Sequence, residues 1–245
     1  MPGAEGSLAN RSDVRALTFD VFGTTVDWRS GVAAAVRAVG AKSGLQADWE
    51  KLADAWRALY VPSMDRVRKG EVPWTNFDRL HRTSLDQVLP DLGLERFSLA
   101  ERDELTLAWQ KLPPWPDSKL GLERLGRRFT VSTLSNGNRS QQAALIEFAG
   151  LPFQRILSAE DVHHYKPDRE VYLGAVAALG LEARQVMMVA AHKSDLRAAQ
   201  AAGMRAAFVQ RPLEKGLTGG ADLLPDPDAD VQATDFVDLA DQLGC

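Results

Sequence analysis

Ten residues, Ala16-Leu17-Thr18-Phe19-Asp20-Val21-Phe22-Gly23-Thr24-Thr25, constrain this chain more than any other stretch. An apolar run ends on one acidic residue, and a glycine turn carrying hydroxyls follows at once. The run reads as a buried strand. An aspartate at the carboxyl end of such a strand stands where open α/β sheets bind ligands. A parallel α/β architecture with a reactive Asp20 is therefore the first expectation.

The chain has 245 residues, enough for one large α/β domain or a core with a smaller insert. After Thr25 the apolar spacing is helical for a long way, over 31–39, 48–60, 77–89 and 99–112. Pro113-Pro114-Trp115-Pro116 then punctuates the sequence. These boundaries give a helical cap over 28–112 and a core made of 1–27 and 113–245. Beyond Pro116 helices and strands alternate. Strands are expected at 129–134, 155–158, 186–190 and 206–209. Helices are expected at 120–125, 141–148, 168–179, 195–202 and 234–243, and 217–230 reads as a surface loop. The fold class that follows is α/β: a doubly wound, Rossmann-like parallel sheet with a helical cap insert.

Composition narrows the partners. A net charge of −4 supplies no basic field for nucleic acid or an anionic membrane. Cys245 is the sole cysteine, so disulfide frameworks and cysteine metal sites are excluded and a reducing cytoplasm is compatible. Residues 1–13 read as a loose lead-in without the apolar segment of a signal peptide. No apolar run reaches membrane-spanning length. A C2 homodimer is carried as an expectation, being the commonest assembly.

Four segments fall at expected strand ends or in the loops beyond them: Asp20-Val21-Phe22-Gly23-Thr24, Thr133-Leu134-Ser135-Asn136-Gly137-Asn138, Tyr165-Lys166-Pro167-Asp168 and Val189-Ala190-Ala191-His192-Lys193-Ser194-Asp195. A doubly wound sheet brings such loops to one edge. In this order the segments resemble the haloacid dehalogenase-like hydrolase superfamily. The resemblance is closer still to its L-specific 2-haloacid dehalogenases, through Asp20 to Thr24, Leu134 to Gly137, and Lys166-Pro167-Asp168 with Tyr172 beyond. Phosphatases of the superfamily carry a second aspartate two residues after the nucleophile and a metal-binding aspartate in the fourth segment. Phe22 and the pair Ala190-Ala191 occupy those places here. Mg²⁺ favours hard carboxylate oxygens, so no metal and no other cofactor is expected. A halide departs unprotonated and needs neither group.

The resemblance implies that Asp20 attacks C2 of a 2-haloalkanoate, halide leaves, and water frees a 2-hydroxy acid from the resulting ester. Lys166 then keeps Asp20 ionised, and Asp195 orients Lys166 or the water. Thr24 orients Asp20, Ser135 receives the substrate carboxylate, Asn136 helps cradle the halide, and Tyr172 matches the family's tyrosine. Arg57, from the cap, holds the departing halide. His192 departs from the family, where asparagine is common. An imidazole donor would suit small, hard fluoride, so defluorination is a further expectation. Each residue also has an ordinary reading: Asp195 as a helix cap, Thr24 as a turn residue, and Arg57, Lys166 and Tyr172 as surface or packing residues. His163, His164 and His81 read as loop, surface or cap-helix residues, and one or two of the six tryptophans as lining an apolar lid. A Mg²⁺-dependent phosphatase and a non-catalytic binding module remain the alternatives.

Overall fold

Five parallel strands form the centre of the structure, a computed structural model in which residues 13–217 and 222–245 are described. They are β1 (Ala16–Phe19), β2 (Thr130–Thr133), β3 (Val186–Ala190), β4 (Arg205–Val209) and β5 (Val231–Ala233), in the spatial order β2-β1-β3-β4-β5. β1 and β3 are buried along their whole length. Such continuous apolar strands are what a sheet covered on both faces requires. Phe19 pairs with Thr133 on one side and Val189 on the other. The chain runs from β1 to β2 on one flank and then to β3 on the opposite flank. The strand order therefore reverses beside β1, and the loops after β1, β2 and β3 open at one edge around that switch point.

Between β1 and β2 the chain is helical: α1 (Trp28–Lys42), α2 (Trp49–Ala58), α3 (Tyr60–Arg68), α4 (Phe77–Asp91) and α5 (Leu99–Thr106), then a 3₁₀ turn at Leu107–Gln110. Asp27, Asp48, Asn76 and Ser98 cap the first, second, fourth and fifth, each accepting a backbone N–H from the first turn. The strands that enter and leave this insert cross side by side. Asp27 N–H donates to Pro113 O at 2.9 Å, and Val26 forms an antiparallel bridge with Pro114. The remaining helices are α6 (Ser118–Leu125), α7 (Arg139–Ala149), α8 (Arg169–Leu179), α9 (Lys193–Ala201) and α10 (Phe236–Gln242). α8 ends at Gly180, with φ of 68°, as the glycine at that position predicts.

The structure corrects several expected elements. The helix expected over 48–60 is two, broken at Leu59. Pro62 explains the break: it has no N–H for Ala58 O, so it is accommodated only in the first turn of a new helix. The strand expected at 155–158 meets β2 at one isolated bridge, Ser132 to Arg155, and the loop beyond β2 at another, Ser135 to Ser158. Between them Leu157 N–H is taken by the Thr133 side chain at 3.2 Å, which interrupts the ladder. β5 was not anticipated; with three residues it is too short to show a periodicity. In the loop expected over 217–230, residues 218–221 lie outside the described residues, and Asp226 is fully buried against Arg197. Apart from Asp13, the lead-in segment also lies outside them. Among the described residues no helix is long and apolar enough to cross a membrane.

Aromatic packing joins the insert to the core. Phe22, in the loop after β1, meets Phe77 at 6.0 Å and Trp109 at 5.8 Å between ring centroids. Trp109 in turn stacks on Trp28 and meets Trp56 edge-on. Most tryptophans are therefore packing residues, and Trp28 is the one that also reaches the cavity described below. His81 lies within this cluster, 4.2 Å from Trp109 and 4.0 Å from Phe77. It is a cap-helix residue, buried and not at the surface. Burial, with Arg57 adding to it, holds the His81 imidazole well below its ordinary pKa and so neutral.

Candidate active site

Asp20 leaves β1 at the switch point, its N–H bonded to Val189 O at 3.0 Å. The residue is buried, 7% exposed. Oδ2 accepts from Thr24 Oγ1 at 2.8 Å and lies 3.2 Å from His192 Nδ1. A carboxylate only accepts, so the hydrogen in the Thr24 contact is threonine's own. The same hydroxyl oxygen accepts Ala191 N–H at 3.0 Å, which fixes that direction. Oδ1 meets Lys166 Nζ at 2.9 Å and keeps a lone pair.

Lys166 comes from the turn ahead of α8. Its backbone N–H donates to Asn136 Oδ1 at 2.7 Å, which anchors it to the loop after β2. Its ammonium also meets Asp195 Oδ2 at 2.6 Å. Asp195 sits in the first turn of α9 and accepts Tyr172 O–H on its other oxygen at 2.5 Å. Its side chain is therefore turned to Lys166 and Tyr172; His192 holds the cap position, without a side-chain capping bond. One ammonium thus bridges two buried carboxylates.

This crowding sets the charge states. Burial pushes the Asp20 carboxyl up, but Lys166 and His192 outweigh it and hold it well below the usual carboxylate range. Burial acts against the Lys166 ammonium, while Asp195 and Asp20 raise it above its ordinary value. Asp195 moves upward: burial leads, Lys166 opposes, and the charge on Asp20 adds to the rise. Burial would also discharge His192, yet contacts with Asp20 and Glu214 push it up to about 10. Tyr172 is raised by burial and by Asp195, so it stays a neutral donor.

A cavity of about 720 Å³ opens over Asp20, with Trp28, Arg57, Asn136, Tyr172 and His192 among its walls. Arg57 hangs from the last turn of α2, its guanidinium carbon 3.8 Å over the Tyr60 ring and 5.2 Å over Trp28. The break at Leu59 puts Tyr60 at the start of α3, facing it. Arg57 Nη1 is buried without a hydrogen-bond partner among the described residues, an unspent donor beside the cavity. Asn136 Nδ2 donates to Tyr60 OH at 3.2 Å. Asp20, Lys166, Asp195, Tyr172, Asn136, His192 and Arg57 thus come together. Thr24 stands behind Asp20. Ser135 is buried, its Oγ accepting Gly137 N–H at 3.2 Å, and it is not among the cavity walls.

Glu214 is a wall residue that the sequence reading missed. It follows β4 and is 5% exposed. Its Oε1 lies 3.0 Å from His192 Nε2 and accepts Trp28 Nε1–H at 3.1 Å. Its place past a strand end at the same edge was the available signal, but nothing in the sequence pairs it with His192.

A family model described as haloacid dehalogenase-like hydrolase matches residues 14–203. The chain belongs to the haloacid dehalogenase-like hydrolases. This hydrolase is 30% identical over 209 residues to (S)-2-haloacid dehalogenase 4A of Burkholderia cepacia, spanning 81% of this chain and 84% of that one. A solved structure of a defluorinating L-2-haloacid dehalogenase matches it with a TM-score of 0.92 and 43% identity, covering 95% of this chain and 96% of the other. A second L-2-haloacid dehalogenase structure matches at 0.89 and 42%, covering 94% and 99%. The chain is thus a hydrolase, and these similar proteins are named as 2-haloacid dehalogenases.

Magnesium serves phosphatases of the wider family, and the residues of this haloacid dehalogenase-like hydrolase do not fit it. Ala190 and Ala191 offer no side-chain oxygen, and Lys166 already bridges Asp20 and Asp195. Among the described residues no cluster of three or more His, Cys, Asp or Glu side chains could hold a metal ion. Phe22, where the phosphatase acid would stand, is buried in the aromatic cluster.

Proposed function

We propose that this enzyme hydrolyses short 2-haloalkanoic acids to 2-hydroxy acids through an ester on Asp20, without a metal ion. The observation that carries the reading is the ionised, buried Asp20, whose Oδ1 meets only Lys166, on the wall of a cavity that the cationic Arg57 also lines. Oδ1 attacks C2 from the side opposite the halogen, the carbon–halogen bond breaks, and halide leaves toward Arg57. A charge-assisted contact there stabilises the leaving anion. Water then attacks Asp20 Cγ, and the Cγ–Oδ1 bond breaks to free a 2-hydroxy acid of inverted configuration. Lys166 keeps Asp20 ionised between turnovers, and Asp195 stands ready to take a proton from the water. Asn136 and Tyr60 close the cavity beside the halide. Ser135 shapes the loop that presents Asn136, through its bond to Gly137, and reaches the substrate carboxylate only if that loop shifts.

Fluoroacetate belongs to the proposed range. Fluoride accepts strong hydrogen bonds, His192 and Arg57 are both donors, and one similar enzyme is described as defluorinating. The division into a core of 1–27 and 113–245 and a cap of 28–112 is part of the same reading. It is supported by the paired crossing at Asp27–Pro113 and Val26–Pro114.

The test is halide release from chloro-, bromo- and fluoroacetate and from (S)- and (R)-2-chloropropionate in the presence of a chelator. Single turnover in ¹⁸O water with mass spectrometry should place label in Asp20. Turnover that requires added Mg²⁺ and releases phosphate from a phosphomonoester, with no halide, would replace this reading with that of a phosphatase.

A further inference from the structure

We propose that His192, held as an imidazolium by Glu214, forms with Thr24 an oxyanion hole for Asp20 Oδ2 during hydrolysis of the ester. The inference deepens the proposed function and rests on its ester intermediate. Oδ2 accepts from Thr24 Oγ1 at 2.8 Å and lies 3.2 Å from His192 Nδ1. Oδ1 receives Lys166 alone and has a free lone pair. Oδ1 is thus the attacking atom, and Oδ2 becomes the carbonyl oxygen of the ester. That assignment places both donors, before any reaction, where negative charge develops when the ester is hydrolysed. Preorganised donors at such a position lower the barrier without having to reorient.

Glu214 decides which role the imidazole plays. Nε2 faces Glu214 and Nδ1 faces Asp20, and since a carboxylate only accepts, both ring nitrogens can serve as donors only in the charged ring. Formation of the ester removes the charge of Asp20. Glu214 is then the anion left in contact with His192, and it keeps the ring protonated for the second step. Glu214 is in turn fixed by Trp28 Nε1–H at 3.1 Å. The other charged groups on this side are Arg57, which acts on Glu214, and Lys215 and Asp222 on the cavity wall. Lys166 and Asp195 lie across Asp20 and form their own pair.

The step balances as follows. The water oxygen bonds to Cγ, the carbonyl electron pair moves to Oδ2, and one water proton passes to Asp195. Thr24 O–H and His192 Nδ1–H hold the oxyanion. When the pair returns, Cγ–Oδ1 breaks, and the departing alkoxide takes the proton from Asp195. Asp20 is left as the acid and loses its proton to solvent, the one proton that hydrolysis of a haloacid releases. His192 transfers no proton, and Glu214 is a positioning residue.

Rapid-quench measurement on wild type and Glu214→Gln separates the steps, reading halide for alkylation and the mass of the Asp20 adduct for hydrolysis. The glutamine keeps an acceptor for Trp28 and removes the charge. We expect hydrolysis to slow by about 10- to 100-fold relative to alkylation, so that the adduct accumulates. The alkaline limb of the hydrolysis step should also move to lower pH, because a neutral imidazole is reached sooner. His192→Gln should lose hydrolysis similarly, with the double variant little worse than His192→Gln alone. If His192 were a general base, hydrolysis would rise with pH and Glu214→Gln would extend it toward acid. That result, equal loss in both steps, or an unmoved limb overturns the inference. Wild-type turnover without any Asp20 adduct or ¹⁸O label overturns the ester reading itself.

Discussion

Lys166 and Asp20 form a buried ion pair, 2.9 Å between Nζ and Oδ1, with side chains 7% and 10% exposed. In that setting burial alone would neutralise the acid, and the ammonium is what reverses the balance. Lys166→Met should therefore raise the Asp20 pKa and move the acid limb of kcat/KM to higher pH. An opposite charge at this range is worth about 1–3 pKa units, so the acid limb should move up by about that much, while the ionised fraction at neutral pH changes little. A pH–rate profile by halide electrode checks both parts.

Asp20→Asn should lower halide release by at least about three powers of ten, because an amide oxygen is a far poorer nucleophile than the carboxylate it replaces. The variant should stay folded, since the amide oxygen can still accept from Thr24. A single-turnover assay with circular dichroism on the same sample tests this.

Arg57→Ala should lower kcat/KM roughly 10- to 150-fold, from about 1.5–3 kcal/mol for a charge-assisted hydrogen bond. The loss should fall mainly on alkylation. Steady-state and burst kinetics with chloroacetate and fluoroacetate distinguish it from the hydrolysis defect expected for Glu214→Gln.

His192 carries a stability signature. Its pKa is raised from 6.5 to about 10 on folding, so its contribution is complete below about 6.5 and is lost progressively as pH rises to about 10. The depressed Asp20 and Glu214 act at the opposite end: their contribution is lost on acidification. Thermal melts from pH 6.5 to 10 should show a decline that is flattened in His192→Gln. Parallel declines in the two proteins would refute the assignment.

Gly23 links the turn after β1 to the pair formed by His192 and Glu214. Its φ is 96°, and a Cβ there would collide with the Glu214 carboxylate. Gly23→Ala should cost about 1–3 kcal/mol in backbone strain and push Glu214 off His192. The variant should melt lower and accumulate the Asp20 adduct. Denaturant unfolding and adduct mass spectrometry test the two effects separately.

Much of this enzyme could be read from residue order alone. The apolar run ahead of Asp20 and the alternation of helix and strand after Pro116 pointed to the parallel sheet and to the edge where Asp20 stands, and the family resemblance marked Phe22 and Ala190-Ala191 as departures from the phosphatase pattern. These are local signals, because a buried strand and a helix cap are each specified within a few neighbouring residues. The break at Leu59 was also locally encoded by Pro62, although the apolar stripe obscured it.

The sequence by itself determined the fold class and the place of Asp20 at the end of a buried strand, because strand burial and turn geometry are written into adjacent residues. Only the tertiary structure decided that Lys166 serves two carboxylates, that Arg57 lies over Tyr60 with a donor unspent, and that His192 is paired with Glu214. Those partners are brought together by strand order and packing across many intervening residues. Their charge states follow from burial and distance, which no spacing along the chain records.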